Sequence, residues 1–118
     1  RFKVTEIALS EQALAQFDAT EILVGAELLS HAKVQSIGWS GTAAGWRGFG
    51  ADEDLCEKIT AHTGITACTS VLALNEILNL TQVKKLGIVS PYTDDVQQKI
   101  INNYINCFCV ITTASSCN

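Results

Sequence analysis

Two hydroxyl-bearing turns carry the residues of this chain with the most to offer chemically. The first lies within Ser36-Ile37-Gly38-Trp39-Ser40-Gly41-Thr42-Ala43-Ala44-Gly45-Trp46-Arg47-Gly48, the second within Ser90-Pro91-Tyr92-Thr93-Asp94-Asp95-Val96. Each reads as an apolar strand running into a turn and then a helix. That arrangement gathers backbone N–H groups, hydroxyls and a phenol at one sheet edge, where a carboxylate can be held. Gly41 permits a tight turn, Thr42 and Thr93 add hydroxyls, and the amides up to Ala43 can form an anion-binding nest. Tyr92 presents a phenol over the same edge. Such donors either hold a carboxylate or stabilise the enediolate formed when charge moves onto it. The plainer reading is that Gly41-Thr42-Ala43 is a turn and Tyr92 a packing residue at its rim.

The elements that must position these turns follow from periodicity. Phe2 to Leu9 alternates like a strand. Asp18 with Glu21 resembles a capping box ahead of a helix over 19–32, with Ile22, Ala26 and Leu29 on one side. Val34 to Trp39 is a second strand. Asp52 and Asp54 open the next helix, Leu55, Ile59 and His62 form its buried side, and Gly64 ends it. Ile65 to Thr69 is a short extended link, and Ser70 is placed to cap a helix from Val71 to Leu78. That helix is apolar nearly all round, which predicts burial on every side. Leu86 to Ser90 is a continuous apolar strand of the kind parallel sheets bury on both faces. Thr93 caps a helix with Val96, Ile100 and Tyr104 at four-residue steps, and a last strand is expected over 108–113. Alternating strands and helices with short connections predict an α/β fold: a three-layer sandwich with a mainly parallel, Rossmann-like sheet. Ligands of such sheets sit beyond the carboxyl ends of the strands, where both turns lie.

Composition narrows the function. The 118 residues are 47% hydrophobic and 17% charged, with one proline, which is a globular composition. The net charge of −4 comes without a Lys/Arg cluster, so a nucleic-acid partner is not expected. No apolar run reaches the roughly 18 residues of a membrane helix, and no secretory signal pattern is present. The five cysteines, Cys56, Cys68, Cys107, Cys109 and Cys117, are odd in number and read as reduced thiols in a cytoplasmic protein. His31 and His62 lack ligand spacing, so no metal site is expected. Asn79-Leu80-Thr81 matches a glycosylation sequon by chance. The glycines over 38–48 do not form G-x-G-x-x-G and no P-loop lysine follows, which weighs against a nucleotide site. Trp39 and Trp46 read as packing. Arg47 is either a partner for a second carboxylate or a solvated rim residue.

Three segments occur in the order and spacing of one protein group: Trp39-Ser40-Gly41-Thr42-Ala43-Ala44-Gly45-Trp46, Thr66-Ala67-Cys68-Thr69-Ser70-Val71-Leu72-Ala73-Leu74, and Leu86-Gly87-Ile88-Val89-Ser90-Pro91-Tyr92-Thr93-Asp94-Asp95-Val96. Over 34–106 the chain resembles the aspartate/glutamate racemase superfamily, in particular its maleate cis-trans isomerase and arylmalonate decarboxylase branch. The resemblance implies two similar α/β lobes with the active site between them. It implies a small (di)carboxylic acid substrate, such as maleate, aspartate or an arylmalonate, and no metal or organic cofactor. One carboxylate would be held by Thr42, Ala43 and Tyr92, with Gly41 shaping the turn and Thr93 assisting. The family's racemases and isomerases use one cysteine from each lobe. Ala43 stands near the place of the first and can neither attack nor carry a proton. Cys68 sits in a family-like Ala-Cys-Thr-Ser run, but at the second βα turn. It is the candidate catalytic nucleophile, since a helix N-terminus lowers a thiol pKa; otherwise it is a small buried thiol.

Compared with that family, residues 1–118 read as a single lobe, an incomplete part of a two-lobe enzyme. The resemblance fades after residue 106. The expected alternative to an active enzyme is therefore a degenerate or truncated lobe that only binds a small acid or a partner subunit. Uncovered sheet edges would favour a homo-oligomer or association with a complementary lobe.

Overall fold

The computed structural model describes residues 9–10, 17–107 and 110–116. The strand expected over 2–9 therefore lies almost entirely outside the described residues. The ordered elements are α1 (Thr20–Ser30), β1 (Ile37–Trp39), α2 (Ala44–Arg47), α3 (Gly50–Thr63), β2 (Ala67–Thr69), α4 (Ser70–Leu80), β3 (Lys85–Ser90), α5 (Asp94–Cys107) and β4 (Val110–Ser116).

The strands pair in parallel, as alternation with helices demands. β1 pairs with β2 in the register Ile37↔Ala67, Gly38↔Cys68, Trp39↔Thr69. β3 pairs with β4 from Lys85↔Val110 to Ser90↔Ser116, with an irregularity between Leu86 and Gly87. The parallel α/β class is observed, but a continuous sheet is not. Among the described residues the pairing is divided between two two-stranded sheets. Each has its own core. Ala26, Ile37, Leu55 and Ile59 form one, beneath α1 and α3. Trp46, Leu78, Val96, Ile100 and Tyr104 form the other, beneath α5. Trp46 belongs to the second core although it follows a strand of the first sheet, so α2 is the element that joins the two.

Several local expectations hold for the reasons that suggested them. Asp94 and Asp95 occupy the first turn of α5, and Val96, Ile100 and Tyr104 are its buried stripe. Gly64 ends α3 at φ 72°, with its N–H donating to the Thr60 carbonyl, a left-handed position that suits glycine. Others are corrected. The cap of α4 is Thr69, whose Oγ1 accepts from the Leu72 N–H at 3.1 Å, while Ser70 Oγ reaches back to the Trp39 carbonyl. The α4 helix is not buried all round: Val71, Asn75 and Leu78 face inward, but Leu74, Ile77 and Leu80 are exposed. β3 is not buried on both faces either, since Val89 is 75% exposed and burial alternates along the strand. Among the described residues β3 is paired with β4 on one edge, and its alternating exposure is that of a half-buried strand. His62 is exposed, 3.4 Å from Glu27 on α1, and not on the buried side of α3. Asp18 accepts from Thr20 alone, through its N–H and its hydroxyl, so no reciprocal capping box forms with Glu21. No helix among the described residues is long and apolar enough to cross a membrane.

Candidate functional site

Thr42 and Tyr92 are fifty residues apart in sequence and meet in space. The Thr42 Oγ1 and Tyr92 hydroxyl are 3.1 Å apart, and either can donate to the other. The two arrive from different sheets. Thr42 follows β1 and is held in the turn by the Gly45 N–H, which donates to its carbonyl at 3.1 Å. Tyr92 follows β3 and the rigid Pro91. The pair therefore closes the gap between the two sheets, at the carboxyl ends of their strands.

A cavity of about 190 Å³ opens beside the pair, walled by Phe17, Trp39, Gly41, Ala43 and Trp46 together with the two hydroxyl residues. Gly41 is sterically required here. A Cβ at that position would stand 2.3 Å from Trp39 Nε1, so any larger residue must push the indole away. Ala43 precedes α2 and makes no side-chain cap, while the Gly45 and Trp46 N–H groups donate to the Thr42 and Ala43 carbonyls. On the other flank Thr42 and Tyr92 also border a larger cavity of about 300 Å³. Its walls are mostly aliphatic, including Val71, Leu74, Leu86 and Ile88. The hydroxyl pair is thus a polar point between two largely apolar spaces, an arrangement typical of sites that orient a small organic ligand.

The other sequence candidates are placed differently. Thr93 is exposed, and its hydroxyl donates to Asp95 Oδ1 at 2.5 Å, so it serves the first turn of α5. That bond and the Val96 N–H hold the Asp95 carboxyl below its usual range. Cys68 lies on β2 at the second βα turn, exposed and beside Gly38. It does not line either cavity at the Thr42–Tyr92 pair, and it is not the buried thiol of the plainer reading. Trp46 is fully packed, edge-on to Phe17 with ring centroids 5.6 Å apart. Arg47 lies over the same Phe17 ring at 4.7 Å. Among the described residues no three His, Cys, Asp or Glu side chains come together as a metal-binding group. Sequence reasoning missed Phe17, which reaches the site from ahead of α1 with no motif to announce it. It also missed Ser90 and Gln97, whose buried side-chain bond underlies the Tyr92 turn.

Asp52 lies in the first turn of α3, as expected of an acid that favours the helix dipole, and is buried there, at 5% exposure. Burial pushes its carboxyl above the ordinary 3.8, while the Thr69 hydroxyl and the Arg47 charge pull the other way. Among the described residues its Oδ2 has no hydrogen-bond partner. The sign of the consequence is definite. As pH falls from the raised value to 3.8, the folded state holds a proton that the unfolded chain releases, so this group's contribution to stability grows. Relative to Asp52→Asn, the parent chain is therefore expected to gain stability on acidification through that window. Thermal melts of both proteins between pH 7 and pH 4 measure it; a difference that stays flat or shrinks contradicts the burial argument.

The fold is a parallel α/β fold, with Thr42 and Tyr92 within hydrogen-bond reach at strand ends from two sheets. Solved structures of arylmalonate decarboxylase share that fold. The unliganded enzyme aligns at TM-score 0.73 and 19% identity over 94% of this chain and 47% of that chain. A further crystal structure of the enzyme gives 0.74 and 19%, over 94% and 50%. A doubly substituted, liganded form gives 0.74 and 17%, over 96% and 48%. At these identities the likeness is one of fold, and this chain spans about half the length of the structures it matches. No protein-family profile matches the chain, and no curated protein sequence matches it.

Proposed function

We propose that this chain forms part of a cofactor-independent enzyme of the isomerase, racemase or decarboxylase type acting on a small (di)carboxylic acid. The observation that carries the reading is the Thr42–Tyr92 pair, 3.1 Å apart at the ends of strands from two sheets. One carboxylate would accept from both hydroxyls and from amides of the Gly41–Ala43 turn. In a decarboxylation the bond to the departing carboxyl breaks and its electron pair passes onto the retained carboxylate as an enediolate. The same donors would stabilise that charge better than the ground-state acid, the condition for catalysis. The enediolate carbon then takes a proton from an acid on the opposite face. The apolar cavity on the far side of the pair favours an acid with an aryl or alkyl substituent over one as polar as aspartate.

A second reading is favoured by one observation: Cys68 does not line the cavities at the pair. The racemase resemblance adds that Ala43 stands near the place of the first-lobe cysteine. The chain is then a lobe that binds the acid but needs a proton donor from a complementary lobe or partner subunit. We place either form in the cytoplasm, supported by Cys56, Cys68 and Cys107 being free thiols. Calorimetric titration with phenylmalonate, maleate and aspartate, with turnover followed by proton NMR in deuterated buffer, separates the readings. Phenylmalonate is expected to bind most tightly. Turnover supports the enzyme, binding without turnover supports the lobe, and no binding of any acid defeats both.

A further inference from the structure

Helix α5 contributes neither member of the Thr42–Tyr92 pair, yet it is tied to the turn that carries each. Near its N-terminus the buried Gln97 accepts a hydrogen bond from Ser90 Oγ at 2.8 Å. Ser90 ends β3, two positions before Tyr92. The Gln97 N–H also donates to the Thr93 carbonyl at 2.9 Å, so the whole β3–α5 turn is pinned from one residue. Further along the helix, Asn103 Nδ2 donates to the Gly45 carbonyl at 2.9 Å. The Gly45 N–H in turn holds the Thr42 carbonyl. With the contact between the two hydroxyls, these bonds close a ring: Gln97, Ser90, Tyr92, Thr42, Gly45, Asn103, and back along α5.

The ring matters because, among the described residues, the strand ladders do not join the two turns. There β1 pairs with β2 and β3 with β4, in two separate two-stranded sheets. A helix is the stiffest available spacer. At 1.5 Å per residue, the six positions from Gln97 to Asn103 span about 9 Å and resist stretching. Between the two ties, Ile100 is packed with Trp46, and its Cγ1 lies 3.9 Å from where a Cβ on Gly45 would stand. The spacer is therefore seated against α2 as well as bonded to it.

We propose that Gln97 and Asn103 are positioning residues, and that α5 acts through them as a gauge holding the Tyr92 hydroxyl within reach of Thr42. Neither side chain lines the cavities at the pair, so their effect on a ligand is indirect. The inference rests on reading the pair as a carboxylate clamp, but the geometry it concerns exists without any acid. That separates the two tests.

The chain has two tyrosines, Tyr92 and Tyr104, so the ring carbon and proton resonances of Tyr92 are assignable through Tyr92→Phe. In the ligand-free chain, Asn103→Leu is expected to move the Tyr92 ring signals in the direction that Thr42→Val moves them. Asn103→Gln, which retains the amide donor, should move them back toward the parent positions. Phenylmalonate affinity should fall about tenfold in Asn103→Leu, the worth of one well-placed hydrogen bond. Gln97→Met is the second variant, cutting the other tie, and is expected to give the same signature if Asn103→Leu does not fold. Unmoved Tyr92 signals in a folded variant overturn the gauge. Failure of the parent chain to bind acid overturns the clamp alone, because the resonances report the geometry without it.

Discussion

Tyr92→Phe is expected to weaken phenylmalonate binding by about tenfold or more while leaving the fold intact. The substitution removes one hydroxyl and keeps the ring that borders both cavities, so the packing is preserved and only the donor is lost. A hydrogen bond to a charged acceptor contributes about 1.5–3 kcal/mol. Thr42→Val, which exchanges a hydroxyl for a methyl of similar size, should cost a comparable amount. The informative quantity is their coupling. Because the two hydroxyls lie 3.1 Å apart and would converge on one carboxylate, the double variant should lose less than the sum of the single losses. A coupling energy of about 0.5–3 kcal/mol in the double-mutant cycle is the expected range for residues in contact. Strict additivity would mean that each residue acts by itself, and the clamp would have to be abandoned. Equal affinity in all four proteins would remove both from the binding site.

The largest effect on stability is expected from Trp46→Ala, at about 3–5 kcal/mol. Trp46 is 3% exposed and packs against Val96, Ile100 and Tyr104 on one side and the edge of Phe17 on the other. It is carried by the short helix α2, which follows a strand of the first sheet, yet its side chain fills the core of the second. Its removal opens a void in the second core, beneath α5. Chemical denaturation of parent and variant measures the loss. A cost under about 1 kcal/mol would show that the two cores are independent and that the indole is not what joins them. Acid binding should fall with stability in this variant, unlike in Tyr92→Phe, which separates loss of the scaffold from loss of the donor.

Much of this arrangement was legible in the chain itself. The four-residue steps of Val96, Ile100 and Tyr104 identify the buried stripe of α5, because a helix repeats its faces every 3.6 residues whatever it packs against. Gly64 announces the end of α3 because few other residues sit easily at positive φ. The turns bearing Thr42 and Tyr92 were recognisable as donor-rich strand ends. Where the reading failed, the deciding contact came from another element. Leu74, Ile77 and Leu80 look like core residues in a helix that is apolar nearly all round, but among the described residues nothing covers that side of α4 and they are exposed. Thr69 displaces Ser70 as the helix cap because the extended backbone of β2 continues through Thr69, at φ −129° and ψ 158°. The helix-start position of Asp52 carries no sign of its burial, which follows from α3 lying against the end of β2, where the Thr69 hydroxyl reaches its carboxyl.

From the amino-acid order alone follow the α/β alternation, the parallel pairing it requires, the helix face of α5, and the hydroxyl and phenol at the strand ends. These are determined locally, by backbone sterics and by side-chain periodicity within a few turns. Only the tertiary structure decided that the described strands pair as two two-stranded sheets and that Thr42 and Tyr92 meet between them. It likewise decided that Cys68 stays away from them and that Gln97 and Asn103 tie both turns to one helix. Those facts depend on which surfaces cover which, and residues fifty positions apart carry no local pattern that records their meeting.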